Sequence, residues 1–199
     1  MRLIILALSM TCVGYSYSQK VVKLQANIGS TFQSFSYTDA SGKSLNYSTQ
    51  ANSDVRFGFM YKANAQSKTG LGIYAGILNI SSQSVEPVSS INLSALNFDF
   101  FFNYNIGNEI LQSFSVGPTW GIVIAQDQSN DNQAVNDDGF ATLHAGIYTE
   151  LLFGGHKTDK ASANPYLFYR TTLSNIEGAD ADTEKSGYSS IGLGIKISI

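Results

Sequence analysis

The segment Leu96-Asn97-Phe98-Asp99-Phe100-Phe101-Phe102-Asn103-Tyr104 decides the fold of this chain. Apolar residues occupy every second position of the segment, and polar residues occupy most of the positions between them. A period of two is typical of a β-strand, because successive side chains of a strand point to opposite faces of the sheet. The same period recurs in segment after segment to the last residue. The sequence therefore predicts an all-β protein.

Turn-forming residues divide the alternating pattern into eight predicted strands. They lie at about residues 22–32, 55–62, 71–77, 93–104, 113–124, 141–153, 166–176 and 188–199. A shift of the apolar phase at Phe35 and Tyr37 predicts either a bulge or the membrane boundary there. Asn105 to Asn108 is predicted to form a tight turn, because it contains residue types that tolerate positive φ. The segments 81–90 and 126–139 are predicted to be loops.

The second face of the strands indicates where the protein lies. Most of these positions carry Gly, Ser, Thr or Asn, and charged residues make up 14% of the chain, against about 25% in a soluble domain. A water surface would carry more charge, and a packed core would be more apolar. We therefore predict an eight-stranded antiparallel transmembrane β-barrel with lipid outside and a polar interior. The alternative is a soluble, lipocalin-like barrel with an apolar interior.

Tyrosines near the ends of the predicted strands agree with the membrane interpretation. Aromatic side chains form girdles where a barrel meets the two membrane surfaces. We predict that role for Tyr61, Tyr104, Tyr166 and Tyr188.

The N-terminal segment has the pattern of a secretory signal. A basic residue precedes an apolar stretch from Leu3 to Val13, and small residues follow it. We predict a signal peptide at 1–18, cleaved after Ser18, and a barrel domain at 19–199. Cys12 is the one cysteine of the sequence, so the mature chain would contain no thiol or disulfide. Export through a cleaved signal, combined with a barrel, predicts location in the cell outer membrane.

Three stretches of the predicted strands carry a family resemblance. They are Leu96 to Tyr104, Phe114-Ser115-Val116-Gly117-Pro118-Thr119-Trp120-Gly121, and Tyr169-Arg170-Thr171-Thr172-Leu173-Ser174-Asn175-Ile176. The pattern resembles the small outer-membrane β-barrel families of Bacteroidota that include PorT-like and OmpX-like proteins. The resemblance implies the same barrel fold and membrane. It brings no catalytic motif with it and does not imply the secretion role of the PorT-like proteins.

Eight charged residues interrupt the small polar residues of the second face. They are Lys23 and the seven residues Asp54, Arg56, Lys62, Asp99, Glu150, Arg170 and Lys196. Eight strands enclose only enough space for side chains, so we predict a filled lumen in which the last seven of these residues form a charge network. Pairing is expected because an unpaired charge in a dry interior is costly.

Other motifs have structural explanations. Gly70-Leu71-Gly72 and Gly192-Leu193-Gly194 superficially resemble phosphate-binding loops, but no helix follows them, so we interpret their glycines as small lumen residues. The acidic segment 127–139 lacks the ligand spacing of a calcium loop, and we predict an exposed loop. His144 is predicted to face the lumen and His156 to lie in a turn. We predict no metal and no cofactor.

A hydrolase site would need a serine, a histidine and an acid in contact. His144 could reach Ser113 or Ser115 and Glu150 inside a barrel, but no local signature supports this arrangement. We therefore predict no catalytic residues and no enzymatic activity.

The functional prediction rests on the loops. Polar and acidic residues concentrate around 38–53, 126–139 and 177–187, and loops on a rigid scaffold are where binding usually resides. We predict a structural or surface-interaction protein whose partners are outer-membrane lipid and an extracellular or envelope protein or glycan, with no nucleic acid. The alternatives are a narrow solute channel, a barrel-embedded lipid-modifying enzyme of the envelope, or a component of a secretion apparatus.

Overall fold

A computed structural model describes residues 20–39, 44–46, 50–84, 89–130, 133–135, 143–174 and 183–199. Eight long strands form the body of the molecule. They are β1 (Val21–Asp39), β3 (Gln50–Lys62), β4 (Thr69–Ser84), β5 (Ser89–Asn105), β6 (Leu111–Asn130), β8 (Leu143–Phe153), β10 (Ser162–Thr172) and β11 (Thr183–Ser198). Three short strands accompany them, namely β2 (Ser44–Asn46), β7 (Gln133–Val135) and β9 (His156–Lys157). The described residues include no helix long and apolar enough to cross a bilayer.

The eight long strands close on themselves. Each pairs antiparallel with the next long strand along the chain, from β1 to β11. The last strand then pairs with the first, in register from Gln25 opposite Ser198 to Thr38 opposite Lys185. A closed barrel leaves no sheet edge with unpaired backbone groups, which is what a bilayer requires of a strand structure.

Side-chain exposure shows that the barrel is apolar outside and polar inside. Asp99 and Thr119 are fully buried, and Arg56 and Arg170 are at most 2% exposed. The alternate positions of the same strands carry exposed apolar side chains. These include Val22, Leu24, Ile28, Phe57, Phe59, Leu71, Ile77, Phe100, Phe102, Trp120, Ile122, Ile147, Ile191, Leu193 and Ile195. This is the pattern of a transmembrane β-barrel, and it excludes the lipocalin-like alternative.

The two ends of the barrel differ in their connections. One end, which we call the near end, is where β1 begins and β11 ends. It has the connections 63–68, 106–110 and 154–161. The opposite, far end has the connections 40–49, 85–88, 131–142 and 173–182. Gly107 in the predicted tight turn has a φ of 74°, which confirms that prediction.

The near-end connection between β8 and β10 contains a small hairpin of its own. His156 pairs with Ala163, and Lys157 pairs with Ser162 at the start of β10. The Thr158 amide donates to the Ala161 carbonyl at 2.8 Å and closes the turn. This hairpin accounts for the length of the connection, and it places His156 in an exposed strand.

Several predicted boundaries were wrong. The segment predicted as the loop 81–90 is mostly strand, because β4 continues to Ser84 and β5 begins at Ser89. The loop predicted at 126–139 begins as strand, since β6 continues to Asn130. The strand predicted at 166–176 begins earlier, at Ser162, and ends at Thr172. The signal peptide and most of the acidic loop lie outside the described residues.

The first of the two explanations predicted for the phase shift at Phe35, a bulge, is wrong. The register of β1 with β11 is continuous from Gln25 to Thr38, so no bulge occurs at this residue. The side chain of Phe35 points inward instead and is 1% exposed. It belongs to a buried group at the far end that we call the apolar plug. Its members are Phe35, Leu78, Ile80, Leu93, Ala95 and Tyr188.

Two of the four predicted girdle tyrosines face the wrong way for that role. Tyr104 is 44% exposed and faces outward near the near end, as predicted. Tyr166 and Tyr188 are each 2% exposed and point into the lumen.

The backbone pairing of β6 with β5 is interrupted at the proline of β6. Pro118 pairs with Ile147 of β8, whereas the pairing with β5 is missing between Asp99–Thr119 and Phe102–Val116. Proline has no N–H to donate, so the interruption lies on the β5 side of this strand.

Candidate functional site: the barrel interior

Inward positions of five strands bring six charges together in the middle of the lumen. We call this set the charged cluster. Its members are Asp54, Arg56, Asp99, Glu150, Arg170 and Lys196. All six are at most 3% exposed, and the three cations balance the three carboxylates. The lumen charges predicted from the sequence are therefore in contact here, with Lys62 as the exception.

Asp99 of β5 is the centre of the charged cluster. Its Oδ2 accepts from Arg170 Nη2 at 2.6 Å and from Arg56 Nη1 at 3.1 Å, and its Oδ1 accepts from Arg170 Nε at 3.1 Å. Thr119 Oγ1 and Asn97 Nδ2 also donate to Oδ1, at 2.7 and 2.8 Å. The two-point contact with Arg170 is the strong geometry of a guanidinium and a carboxylate. One carboxylate thus joins two arginines from two strands, β3 and β10, that are not neighbours in the sheet.

Arg56 links Asp99 to a second carboxylate on its own strand. Its Nε and Nη2 donate to Asp54 Oδ2 at 3.1 and 2.9 Å. The same oxygen accepts from the Tyr166 hydroxyl at 2.7 Å. Arg56 therefore neutralises two acids, and β3, β5 and β10 are connected through it across the lumen.

The remaining pair lies between β8 and β11. Lys196 Nζ donates to Glu150 Oε1, and the Tyr148 hydroxyl donates to Glu150 Oε2 at 2.6 Å. Both oxygens of this buried carboxylate are therefore satisfied. Lys196 also lies over the ring of Tyr74, with its Nζ 5.0 Å from the ring centroid.

Aromatic rings fill the space around the cations. The group consists of Tyr74, Phe101, Tyr148, Tyr166 and Phe168, all at most 3% exposed. Arg56 lies among them, with its Cζ 4.3 Å from the centroid of Phe168 and 5.2 Å from that of Tyr148. Such contacts between cations and aromatic faces are strongest where water is excluded. Tyr74 and Phe101 lie on the polar face of the sequence pattern. The lumen position of Tyr148, Tyr166 and Phe168 was not predicted. The available signal was that they lie on the same strand face as Glu150 and Arg170.

Glycines provide the space that the rings occupy. A Cβ atom on Gly72 would lie 2.2 Å from the ring of Phe101, and one on Gly192 would lie 2.2 Å from the ring of Phe168. A Cβ on Gly121 would lie 2.1 Å from the ring of His144. The glycine pairs on β4 and β11 are thus small lumen residues, as interpreted from the sequence.

The residues of the hypothetical hydrolase site make other contacts. His144 is buried, as predicted, and its Nε2 lies 3.0 Å from the Tyr188 hydroxyl. Ser115 Oγ accepts from Asn103 Nδ2 at 3.0 Å, while Glu150 is bound to Lys196 and Tyr148. In the described part of the chain, no group of three or more His, Cys, Asp or Glu side chains is arranged to hold a metal ion.

Lys62 lies apart from the charged cluster, at the near end of the lumen. Its Nζ donates to the Ser67 carbonyl at 3.4 Å. It does not take part in any of the four ion pairs formed between described residues.

The filled interior predicts the absence of a steady pore. Ion-paired and aromatic side chains cross the lumen at mid-height, and the apolar plug lies above them. We expect purified protein in planar bilayers to show no large steady conductance at moderate voltage. A porin reconstituted under the same conditions is the positive control. Stable open channels that Arg56→Ala does not alter would contradict a lumen closed by these contacts.

Comparison with known proteins gives a likeness of fold. Neither the protein-family models nor the curated proteins contain a match to the chain. The outer membrane protein AlkL, solved by solid-state NMR in DMPC lipid bilayers, matches at a TM-score of 0.55 with 11% identity, over 92% of each chain. Neisserial surface protein A (NspA) matches at 0.51 with 9% identity, over 92% of this chain and all of NspA. The outer membrane protein OprG from Pseudomonas aeruginosa matches at 0.47 with 15% identity, over 92% and 98%.

AlkL and NspA show that this chain has a fold found among small outer-membrane barrels. The identities are too low to transfer a ligand or a role. The chain is an eight-stranded antiparallel transmembrane β-barrel with an ion-paired interior.

Proposed function

We propose that this protein is a non-enzymatic outer-membrane barrel that presents binding segments at its far end. The observation that carries the proposal is the interior, where charged side chains are neutralised by one another and packed against aromatic rings. A buried network of this kind holds the wall rigid but offers no reactive group to a substrate. The function is therefore assigned to the outside of the barrel.

The far-end connections are the segments best suited to binding. They include the acidic residues Asp131, Asp137, Asp138, Asp180 and Asp182 together with many Asn, Ser and Gln residues. Polar segments anchored on a rigid wall can make specific contacts while losing little backbone entropy on binding. We propose that they bind an extracellular or envelope protein or a glycan.

The orientation follows from the location proposed for the barrel. In the outer membrane, short turns face the periplasm and longer connections face outward. This arrangement places the near end in the periplasm and the far end at the cell surface. The resemblance of three strand segments to barrels of Bacteroidota supports an origin in that group, and we propose no secretion role.

Replacement of the far-end connections tests the proposal. We expect a variant with two-residue turns in place of 40–49, 131–142 and 173–182 to lose partner contacts. The contacts are measured by crosslinking from single cysteines, because the predicted mature chain has none of its own. The matched control replaces the near-end connection 154–161.

Folding of each variant is checked by the different migration of unboiled and boiled samples in detergent gels. Retained partners and full rescue of a deletion phenotype by the far-end variant would contradict the proposal. The function would then lie in the lumen or at the near end.

A further inference from the structure

A cavity opens at the near end of the lumen, below the aromatic rings. Its outer part has a volume of about 370 Å³ and its inner part about 90 Å³. The two parts share Lys23, Asn105, Gln112, Ser162 and Asn164 and form one funnel. We call it the mouth cavity.

Two lysines on adjacent strands are diagonal neighbours in the wall of the mouth cavity. Lys23 is on β1 opposite Met60, and Lys62 is two residues beyond Met60 on β3. Diagonal neighbours of this kind lie roughly 7–8 Å apart on the same face of a sheet. Lys62 is 8% exposed, although long side chains at such positions usually extend to water. Both lysines line the inner part of the mouth cavity, and Lys62 Nζ also donates a long hydrogen bond of 3.4 Å to the Ser67 carbonyl.

No acid in the described structure neutralises this pair. The four ion pairs of the described residues do not include Lys23 or Lys62. Glu109 and Lys157 also line the outer part, and both side chains are exposed. The lining therefore carries an excess of positive charge, in contrast to the balanced charged cluster deeper in the lumen.

Polar groups beside the lysines provide hydrogen-bond donors to the cavity. Gln112 Oε1 accepts from Asn164 Nδ2 at 3.0 Å, which directs the Gln112 amide nitrogen elsewhere. Asn164 is held in place by a second bond, to the Phe153 carbonyl at 2.9 Å. The Tyr74 hydroxyl donates to Gln25 Oε1 at 2.8 Å, and Gln25 lines the inner part of the funnel. These hydrogen bonds hold the polar lining of the cavity in place.

We propose that the mouth cavity binds a phosphate group. A phosphate monoester carries about −1.5 to −2 charges at pH 7 and three acceptor oxygens, which matches two lysines and a set of amide and hydroxyl donors. The phosphate belongs either to a soluble monoester or to a phospholipid headgroup at the adjacent membrane surface, a diester that has less charge but the same kind of anionic oxygen. The proposal does not depend on the function assigned to the far end.

Calorimetric titration of the folded protein with glycerol 3-phosphate tests the site. The protein is held in alkyl maltoside micelles without phosphate buffer, since a phosphocholine detergent would compete. We expect saturable binding with a Kd of about 1 mM or tighter. Lys23→Gln/Lys62→Gln is expected to weaken binding at least about tenfold, because two charge-assisted contacts are lost. The control Lys68→Gln changes an exposed lysine outside the cavity and is expected to bind as the wild type does.

A second titration in phosphatidylglycerol nanodiscs distinguishes the two sources of phosphate. A fall in affinity relative to micelles indicates that lipid headgroups already occupy the site, whereas an unchanged affinity indicates a soluble monoester. If the double variant does not give a heat-modifiable folded band, Lys23→Gln alone replaces it. The proposal is overturned if glycerol 3-phosphate shows no saturable binding to the micellar protein. It is also overturned if the lysine variant binds as tightly as the wild type, or if Lys68→Gln loses as much affinity.

Discussion

Asp99→Asn is expected to lower the free energy of unfolding of the barrel by about 3–5 kcal/mol, because it leaves two buried arginines without their shared counter-ion. Asp99 accepts from Arg56 and Arg170 and is fully buried. The asparagine keeps the shape of the side chain, so the change isolates the charge. The measurement is urea unfolding of protein reconstituted in lipid vesicles, followed by tryptophan fluorescence.

Two further variants sharpen this experiment. Asp159→Asn removes an exposed carboxylate from the near end and is expected to leave the unfolding midpoint unchanged. Asp99→Asn/Arg170→Met removes one of the stranded cations, while Arg56 keeps its pair with Asp54. We expect the double variant to be more stable than the sum of the single changes predicts, by about 0.5–3 kcal/mol. Equal midpoints for the wild type and Asp99→Asn would show that the charged cluster does not stabilise the barrel.

Gly194→Val is expected to prevent most chains from closing into a barrel. Gly194 of β11 lies opposite Gly29 of β1, where the first and last strands meet. A Cβ on Gly194 would lie 2.3 Å from the Ile28 carbonyl oxygen and 2.6 Å from the Gly29 Cα. Both are backbone atoms, so relief requires the strands to separate. We expect a loss of at least about 3 kcal/mol, the upper part of the usual range for overpacking.

The readout for this variant is the fraction of protein that migrates as the folded species in unboiled gels after refolding. Leu193→Val is the matched control, because Leu193 is the neighbouring residue and its side chain is 56% exposed on the lipid face. A normal folded fraction for Gly194→Val would mean that the seam tolerates a wider spacing of β1 and β11 than the structure has.

The sequence predicts the wall of the barrel well because lipid imposes a simple rule on it. Outward positions such as Phe57, Leu71 and Phe100 are apolar whatever the strand, so a period of two identifies the strands directly. The rule fails at the far end. There Leu78, Ile80 and Leu93 point inward into the apolar plug, so the apolar phase no longer marks the lipid face. For that reason the far ends of β4 and β5 were not predicted as strand.

The charged members of the site were predictable, and their arrangement was not. Arg56, Asp99 and Arg170 stand out because charges are rare on these strands, and a buried charge must find a partner. Which charges meet depends on the shear of the strands around the barrel, and that is not visible in any one segment. Tyr166 was placed at the membrane surface because it lies near a strand end, whereas its hydroxyl binds Asp54 inside the lumen. The distance of Lys62 from the buried acids also depends on this shear of the strands.

The seam between β1 and β11 also determines the order in which the barrel can assemble. Its contacts join residues at opposite ends of the sequence, such as Gln25 and Ser198, which are 173 positions apart. Long-range pairing of this kind forms late, because the intervening chain must be ordered first. Until β11 arrives, β1 and β10 each present an open edge of N–H and C=O groups, and hydrocarbon does not solvate them. A chain arrested one strand early would therefore be trapped outside the bilayer and prone to pair with other chains, so insertion and closure must occur together.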